Sequence, residues 1–156
     1  MTGPSRLATR YDGPESSPGF LLWQVTNRWQ AALRRTLKPF DLTHVQFVIL
    51  AWLSWAAPAT PVTQLELARA AALDTMMTSQ VVRALEAKGL VRREVAAHDR
   101  RARLVSVTPE GRRLVERANA AVEDCDVAFF SALGPDERRL VPLLQRLAHD
   151  DVQAPR

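Results

Sequence analysis

Residues 98–111 have the sequence HDRRARLVSVTPEG, which joins a basic cluster to an alternating apolar run. Along residues 103–107 the side chains alternate in character with the period of two that is typical of a β-strand. Residues 90–95 alternate in the same way. The two runs predict a β-hairpin whose tip, residues 98–101, carries the positive charge.

Two short helices are predicted before this hairpin. Thr63 and Glu66 have the spacing of a capping box, in which a hydroxyl N-cap is followed three residues later by Glu. Asp74 is the next N-cap candidate, and its helix runs to Lys88 and ends at Gly89, where glycine suits a left-handed C-cap. Short helices this close together favour a helix-turn-helix, so the middle of the chain is predicted to be a winged helix-turn-helix.

Longer helices flank this region. Residues 17–38 are predicted to form the first of these helices. Ser17 is an N-cap residue, and Pro39 disfavours helical geometry in the residue before it. Residues 109–150 contain a long helix, a break at Gly134 and a last helix. These outer helices carry apolar stripes that the middle of the chain does not need for its own core. A two-fold homodimer is the commonest way to cover such stripes.

Positive charge is concentrated around the predicted hairpin. The chain of 156 residues has a formal net charge of +4. Residues 83–113 alone contain nine Lys and Arg and four Asp and Glu residues, a net charge of +5. A local basic block favours a polyanion partner, although charge alone does not separate this from a solvated surface hairpin.

The composition predicts one globular, cytoplasmic domain. Apolar residues make up 47% of the chain, and its one cysteine, Cys125, excludes an internal disulfide. Cys125 is expected to be a small buried hydrophobe rather than a redox sensor. Residues 1–19 contain no signal peptide-like run, and no apolar segment reaches the ~18 residues of a membrane helix. The histidines and Cys125 form no pair with metal-ligand spacing, so no metal or cofactor is expected.

The sequence resembles the MarR family of transcriptional regulators over about residues 20–149. Asp99-Arg100-Arg101-Ala-Arg-Leu-Val-Ser-Val107-Thr108 resembles the family's wing signature, Asp-x-Arg followed by five residues and Leu-Thr, with Val107 in the Leu place. The stretch LEAKGLVRR, residues 85–93, is similar to the family's junction between recognition helix and wing.

The resemblance implies a mainly α fold with a small β-hairpin wing, in which a winged helix-turn-helix domain is joined to N- and C-terminal dimerisation helices. The implied protein is a homodimer. The predicted organisation is a flexible arm (1–16), a single MarR-like domain (17–150) with dimerisation helices 17–38 and 109–150 around a winged lobe 43–108, and a tail (151–156).

The wing arginines are predicted to contact DNA. Arg101 stands at the family's Arg position and is expected to enter the minor groove, with Arg100 as the second candidate. Arg103 is expected to meet a phosphate. Because a free carboxylate repels phosphate, Asp99 is expected to hold Arg101 through a salt bridge and hydrogen bond.

The helix 75–88 is the predicted recognition helix. Its core face is expected to be Met77, Val81 and Leu85, with Thr78 and Val82 beside them. On the other face Gln80 could pair with adenine in the major groove. Met76 either touches thymine methyl groups or is a buried core residue. The predicted DNA contacts of this helix are Thr75, Met76, Ser79, Gln80 and Arg83.

Further contacts are predicted outside the recognition helix. Thr63 and Gln64 begin the preceding helix, where backbone N–H groups favour a phosphate. The resemblance also implies a small aromatic ligand between the dimer helices and the DNA-binding lobe. Trp23, His44, Trp52 and Trp55 are the candidate ligand residues, although aromatic side chains at helical spacing are also typical of a core or a dimer interface.

The sequence therefore predicts a homodimeric, sequence-specific regulator, a repressor that binds palindromic double-stranded DNA and responds to a small aromatic ligand. The alternative is a winged-helix dimer that acts as an architectural or protein-interaction factor with little sequence preference. An enzyme is not expected, because the chain has no recognisable nucleophile–base pair, metal set or phosphate loop.

Overall fold

The computed structural model describes residues 8–56 and 60–149. The predicted tail and residues 1–7 of the predicted arm lie outside the described residues, while Pro14–Ser16 of that arm forms a 3-10 turn. The chain is mainly helical with a small three-stranded sheet. Its elements are α1 (Pro18–Leu37), α2 (His44–Ala56), β1 (Val62–Thr63), α3 (Gln64–Ala70), α4 (Thr75–Ala87), β2 (Val91–Ala96), β3 (Asp99–Val107), α5 (Pro109–Phe130) and α6 (Glu137–His149).

Side-chain caps begin the two helices of the helix-turn-helix, as predicted. Thr63 Oγ1 accepts a hydrogen bond from the Glu66 N–H at 3.1 Å, and Glu66 Oε2 accepts one from the Thr63 N–H at 2.8 Å. Asp74 Oδ1 accepts from the N–H of Met77 at 2.8 Å. Each cap satisfies backbone donors that the first turn of a helix leaves free, so both helix starts are fixed by local sequence.

The end of α4 also matches its prediction. Gly89 has a φ of 71°, in the left-handed region that favours glycine. The Leu90 N–H donates to the Leu85 carbonyl at 3.0 Å, and the Gly89 N–H donates to the Glu86 carbonyl at 2.9 Å. This pair of bonds is a Schellman motif, and it turns the chain directly from α4 into the wing.

The sheet is antiparallel with strand order β1-β3-β2. The sequence analysis missed β1, whose two residues pair with Leu104 and Val105 of β3. The predicted hairpin tip at residues 98–101 is wrong, because the two-residue turn is formed by Ala97 and His98. Asp99 already pairs with Ala96, so the wing arginines belong to β3 rather than to the turn.

One hydrophobic core joins the winged lobe to the outer helices. It combines buried residues of α1, α2 and α5 with residues of α3, α4 and the sheet. Large apolar side chains remain exposed on the N-terminal half of α1 and on α6, and no helix in the described ranges is long and apolar enough to cross a membrane. These exposed side chains are Phe20, Leu21, Leu22, Trp23 and Val25 on α1 and Val141, Leu143, Leu144 and Leu147 on α6.

Gly111 lies in the first turn of α5, pressed against the junction between α4 and β2. A Cβ at this position would lie 2.0 Å from the carbonyl oxygen of Leu90. We predict that Gly111→Ala lowers the free energy of unfolding by about 1–3 kcal/mol, because backbone must move to admit the methyl group. Urea denaturation measures the change.

Gly19→Ala in α1 is the matched control, because a Cβ there meets nothing within 4 Å. Alanine in a helix is more favourable than glycine, so this variant should be as stable as the wild type or more stable. Equal stability of the Gly111→Ala variant and the wild type would contradict the packing described for this junction.

Candidate nucleic-acid interface

Helix α4 presents a polar face away from the core. Thr75, Gln80 and Arg83 are exposed, and Ser79 is half-buried. Met76 is 72% exposed, so the alternative that it is a buried core residue is wrong. The predicted contact residues of this helix therefore share an accessible face, apart from the partial burial of Ser79.

The buried face of α4 is rotated from its predicted position. Thr78, Val82 and Leu85 are the buried residues, whereas Met77 is 42% exposed and Val81 is only half-buried. Burial of Thr78 is possible because its hydroxyl donates to the Asp74 carbonyl at 2.8 Å. The core stripe is thus shifted by one residue from the one predicted through Met77 and Val81.

The wing carries an irregularity at its arginines. Val95 of β2 pairs with Arg103 of β3, and the next residue, Ala96, pairs with Asp99. Residues 100–102 consequently have no partner in β2 and form a bulge, which we call the arginine bulge. Arg100 and Arg101 are both exposed. A bulge re-aims side chains away from a regular strand, which suits arginines that must reach outward.

Asp99 orients the arginine bulge through backbone rather than through a salt bridge. Its Oδ1 accepts a hydrogen bond from the Arg101 N–H at 2.9 Å. The predicted ion pair between this carboxylate and the Arg101 guanidinium is not formed, because the carboxylate turns back to the main chain two residues on. Such an Asx turn fixes the local backbone and leaves the guanidinium free to reach elsewhere.

Arg103 does not extend from the wing as its predicted phosphate contact would require. Its Nη1 donates to the carbonyls of Arg100 at 2.8 Å and Ala102 at 3.5 Å. The residue is half-buried, unlike the two exposed arginines before it. A phosphate contact by Arg103 would have to replace these hydrogen bonds.

The wing and the helix-turn-helix enclose a cleft of about 360 Å³. The cleft brings together three separate groups of predicted contacts: the start of α3, the start of α4 and the wing. Met76, Gln80 and Arg83 lie outside it. Its lining residues are Thr63, Gln64, Leu65, Thr75, Asp99, Arg101, Ala102 and Arg103.

The start of α3 is less suited to phosphate than predicted. The Glu66 carboxylate accepts from both the N–H and the hydroxyl of Thr63, each at 2.8 Å. These two hydrogen bonds hold the pKa of Glu66 below its ordinary value. A carboxylate at this helix terminus repels a phosphate, so the electrostatics count against the predicted contacts of Thr63 and Gln64. Gln64 Oε1 is buried without a hydrogen-bond partner.

The predicted aromatic ligand residues do not form one pocket. His44 lines a cavity of about 520 Å³, whereas Trp55 lines a separate cavity of about 430 Å³ between α2 and α5. His44 and Trp55 are about 16 Å apart along the same helix. Trp23 is 67% and Trp55 88% exposed, while Trp52 is half-buried against the core. The separation along α2 places His44 and Trp55 in different cavities of the chain.

Trp29, which the predicted ligand site omitted, is the aromatic residue that contacts His44. Their rings meet edge to face with centroids 5.1 Å apart. Trp29 Nε1 donates to Asp126 Oδ1 at 2.7 Å, which links α1 to α5. Since Asp126 is 97 residues away in sequence, no local pattern could have revealed this contact. Burial lowers the pKa of His44, Arg34 lowers it further, and Asp126 opposes the shift.

The cavity beside His44 is basic. Arg34 of α1 and Lys38, which follows α1, line it together with Lys88 at the end of α4. Lys88 Nζ also pairs with Asp41 Oδ2 at 2.9 Å. The cavity thus touches the C-terminal half of α1 on one side and the residue that follows the recognition helix on the other.

Comparison with known proteins agrees with the winged helix-turn-helix. The sequence model of the MarR family matches residues 42–102. The chain is 43% identical over 143 residues to the uncharacterized HTH-type transcriptional regulator YdcH of Bacillus subtilis, covering 91% of this chain and 97% of that protein.

Solved structures show the same arrangement over most of the chain. BpsR of Bordetella bronchiseptica, whose DNA binding is regulated by 6-hydroxynicotinic acid, is 30% identical with a TM-score of 0.79, covering 88% of this chain and 96% of that one. A mutant MarR of E. coli in complex with operator DNA is 26% identical with a TM-score of 0.74, covering 85% and 93% respectively.

His44 should make stability depend on pH. Its pKa is lowered from 6.5, so the unfolded chain binds the proton more strongly than the folded one. The free energy of unfolding is therefore highest above about pH 6.5 and decreases as the pH falls through the folded pKa. We expect His44→Gln to reduce this decrease in urea denaturation at pH 7.5 and 5.5. His98→Gln on the wing turn is the matched control, and an equal decrease in all three proteins would contradict the role of His44.

Asp99→Asn and Asp99→Ala remove the same charge, but only the asparagine keeps an acceptor for the Arg101 N–H. We expect the Asn variant to bind DNA at least as tightly as the wild type, because a charge that repels phosphate is gone. The Ala variant should bind about 1 kcal/mol more weakly than the Asn variant, the usual worth of one hydrogen bond. Fluorescence anisotropy with DNA from upstream of the gene measures both, and equal affinities would show that the Asx turn is unimportant.

Proposed function

Because the chain belongs to the MarR family of transcriptional regulators, which are DNA-binding winged-helix proteins and not enzymes, we propose that it is a homodimeric repressor with a specific operator. The observation that carries the proposal is the cleft between the start of α4 and the arginine bulge, since one surface presents a recognition helix and a wing together. A MarR mutant of similar fold forms a complex with operator DNA, which supports the same use of this surface.

In this proposal α4 enters the major groove. Gln80 is exposed at mid-helix and can make two hydrogen bonds to adenine, while the exposed thioether of Met76 suits a thymine methyl group. Thr75, Ser79 and Arg83 contact the backbone or base edges beside them. Arg100 and Arg101 extend from the wing into the adjacent minor groove, where a narrow groove attracts guanidinium groups.

The proposed dimer forms through the outer helices. Exposed apolar side chains on the first half of α1 and along α6 leave a surface that a monomer would present to water. A second copy covers this surface under two-fold symmetry and holds two winged lobes at a fixed distance. The operator is then a palindrome with half-sites about 10 bp apart, or one turn of DNA.

A small aromatic acid is the proposed effector, bound in the basic cavity beside His44. Arg34 and Lys38 would meet its carboxylate, and the Trp29–His44 pair offers an aromatic edge near the same place. The regulation of BpsR by 6-hydroxynicotinic acid supports an effector of this class. Lys88 would carry the effect to DNA, because it lines the cavity and follows the last residue of α4.

The test is fluorescence anisotropy on a duplex from upstream of the gene, with a scrambled duplex of equal length, over a salt series. We expect a preference of about 10³ or more for the genuine duplex and a steep fall in affinity with salt. Gln80→Ala should cost about 1–3 kcal/mol on the genuine duplex and little on the scrambled one, because base readout is lost.

Two other outcomes are informative. Equal affinity for both duplexes at every salt concentration would favour an architectural factor over a repressor of this gene. Absence of binding at low salt would remove the DNA-binding surface proposed above. In the first case the loss caused by Gln80→Ala would no longer depend on the duplex.

A further inference from the structure

We propose that Arg103 is a positioning residue of the wing, which holds the arginine bulge in shape so that Arg101 reaches DNA. The proposal rests on the proposed function, since it concerns how the wing is prepared for DNA. It assigns Arg103 a role through neighbouring residues, in place of the phosphate contact expected from its charge.

The bulge needs support that the sheet does not supply. Strand β2 skips residues 100–102, because its pairing passes from Arg103 directly to Asp99. Strand β1 pairs only with Leu104 and Val105, which lie beyond the bulge. Residues 100–102 are therefore paired with neither β1 nor β2. Their conformation depends on hydrogen bonds from side chains instead.

Two side chains hold the bulge, one at each end. Asp99, the residue before the bulge, accepts a hydrogen bond from the Arg101 N–H at 2.9 Å. Arg103, the residue after the bulge, donates a hydrogen bond to the carbonyl of Arg100 at 2.8 Å and makes a longer contact with the carbonyl of Ala102. An acidic side chain thus binds a backbone donor and a basic side chain binds backbone acceptors within five consecutive residues.

Arginine suits this position for a geometric reason. Its guanidinium is planar and presents several donors in a fixed fork, so one group can bind more than one carbonyl. Hydrogen bonds from a charged donor are also stronger than neutral ones. Arg103 is half-buried where Arg100 and Arg101 are exposed, which agrees with a group that serves the wing rather than solvent or phosphate.

The two roles predict different energetics. A phosphate contact acts alone, so its loss weakens binding equally on any duplex and reduces the salt slope by about 0.9. A positioning residue acts through Arg101, so its loss matters only while Arg101 is present. Non-additivity between the two positions is therefore the distinguishing quantity.

The experiment is a double-mutant cycle with Arg101→Ala, Arg103→Met and the double variant, on the upstream and scrambled duplexes. We expect Arg103→Met to weaken binding to the upstream duplex by roughly tenfold, and to cause little further loss when Arg101 is already alanine. Losses that add, with equal effects on both duplexes, would overturn the proposal.

Two further variants separate charge from geometry. Arg103→Lys keeps the charge but loses the rigid planar guanidinium that aims Nη1 at the two carbonyls. Positioning therefore predicts weaker binding to the upstream duplex, whereas a phosphate contact predicts near-wild-type binding. Arg92→Met removes one charge from an exposed position on β2 and controls for the general loss of positive charge. A loss for Arg92→Met as large as that for Arg103→Met would also overturn the proposal.

A readout without DNA keeps this proposal separate from the proposed function. Trypsin cleaves after arginine, and mass spectrometry can follow cleavage after Arg100 and Arg101 in the folded protein. We expect Arg103→Met to accelerate both cleavages several-fold, because the bulge opens more often, while Arg92→Met leaves them unchanged. Unchanged cleavage in Arg103→Met would overturn the proposal. If the wild type shows no preference between duplexes, the proposed function fails, and the cleavage rates still decide whether Arg103 holds the bulge.

Discussion

The hydroxyl of Thr108 joins the DNA-binding elements to the long helix of the chain. Thr108 Oγ1 donates to the Gly89 carbonyl at 2.7 Å and accepts from the Gly111 N–H at 3.0 Å. The Thr108 N–H donates to the Leu90 carbonyl at 3.0 Å. One residue therefore links the end of α4 and the start of β2 to the start of α5, and the absence of a side chain at Gly111 lets these backbones approach.

The chain has two distinct exposed surfaces, one basic and one apolar. On one side lie the exposed face of α4 and the arginine bulge, which are positively charged and accessible. On the other side α1 and α6 expose apolar surface that only a second copy or another partner can cover. The Trp29–His44–Asp126 cluster lies between them and connects α1, α2 and α5. In the proposed regulator, an effector near His44 would act on elements that the junction already couples to α4.

Local sequence predicted the elements whose causes are local. The caps at Thr63 and Asp74 and the glycine at Gly89 act within a few residues, so the boundaries of the helix-turn-helix were correct. The wing was predicted as a hairpin because alternation is visible in sequence. Its turn was misplaced because charge was taken as the mark of the tip, whereas strand pairing puts the turn at Ala97 and His98.

The errors concern contacts between distant residues. The two-residue β1 is too short for any periodicity and exists only because β3 offers a partner. The face of α4 that is buried depends on how α4 packs on α2. Met77 and Val81 were therefore predicted at the centre of the core face, whereas Thr78 and Val82, predicted beside it, are the buried residues. The role proposed for Arg103 could not be predicted from the sequence, because a positive charge suits a contact with a DNA phosphate as well as one with backbone carbonyls. Only the register of the bulge shows that its guanidinium has nearby carbonyls to bind.

Hydroxyl-radical footprinting of the protein on DNA upstream of its gene tests the central claim most directly, namely that two copies present paired recognition helices and wings to one duplex. The account predicts a symmetric footprint with two protected regions about 10 bp apart, each flanked by protection on the minor-groove side where the wing arginines lie. A footprint without two-fold symmetry, or uniform protection without helical phase, would contradict the account.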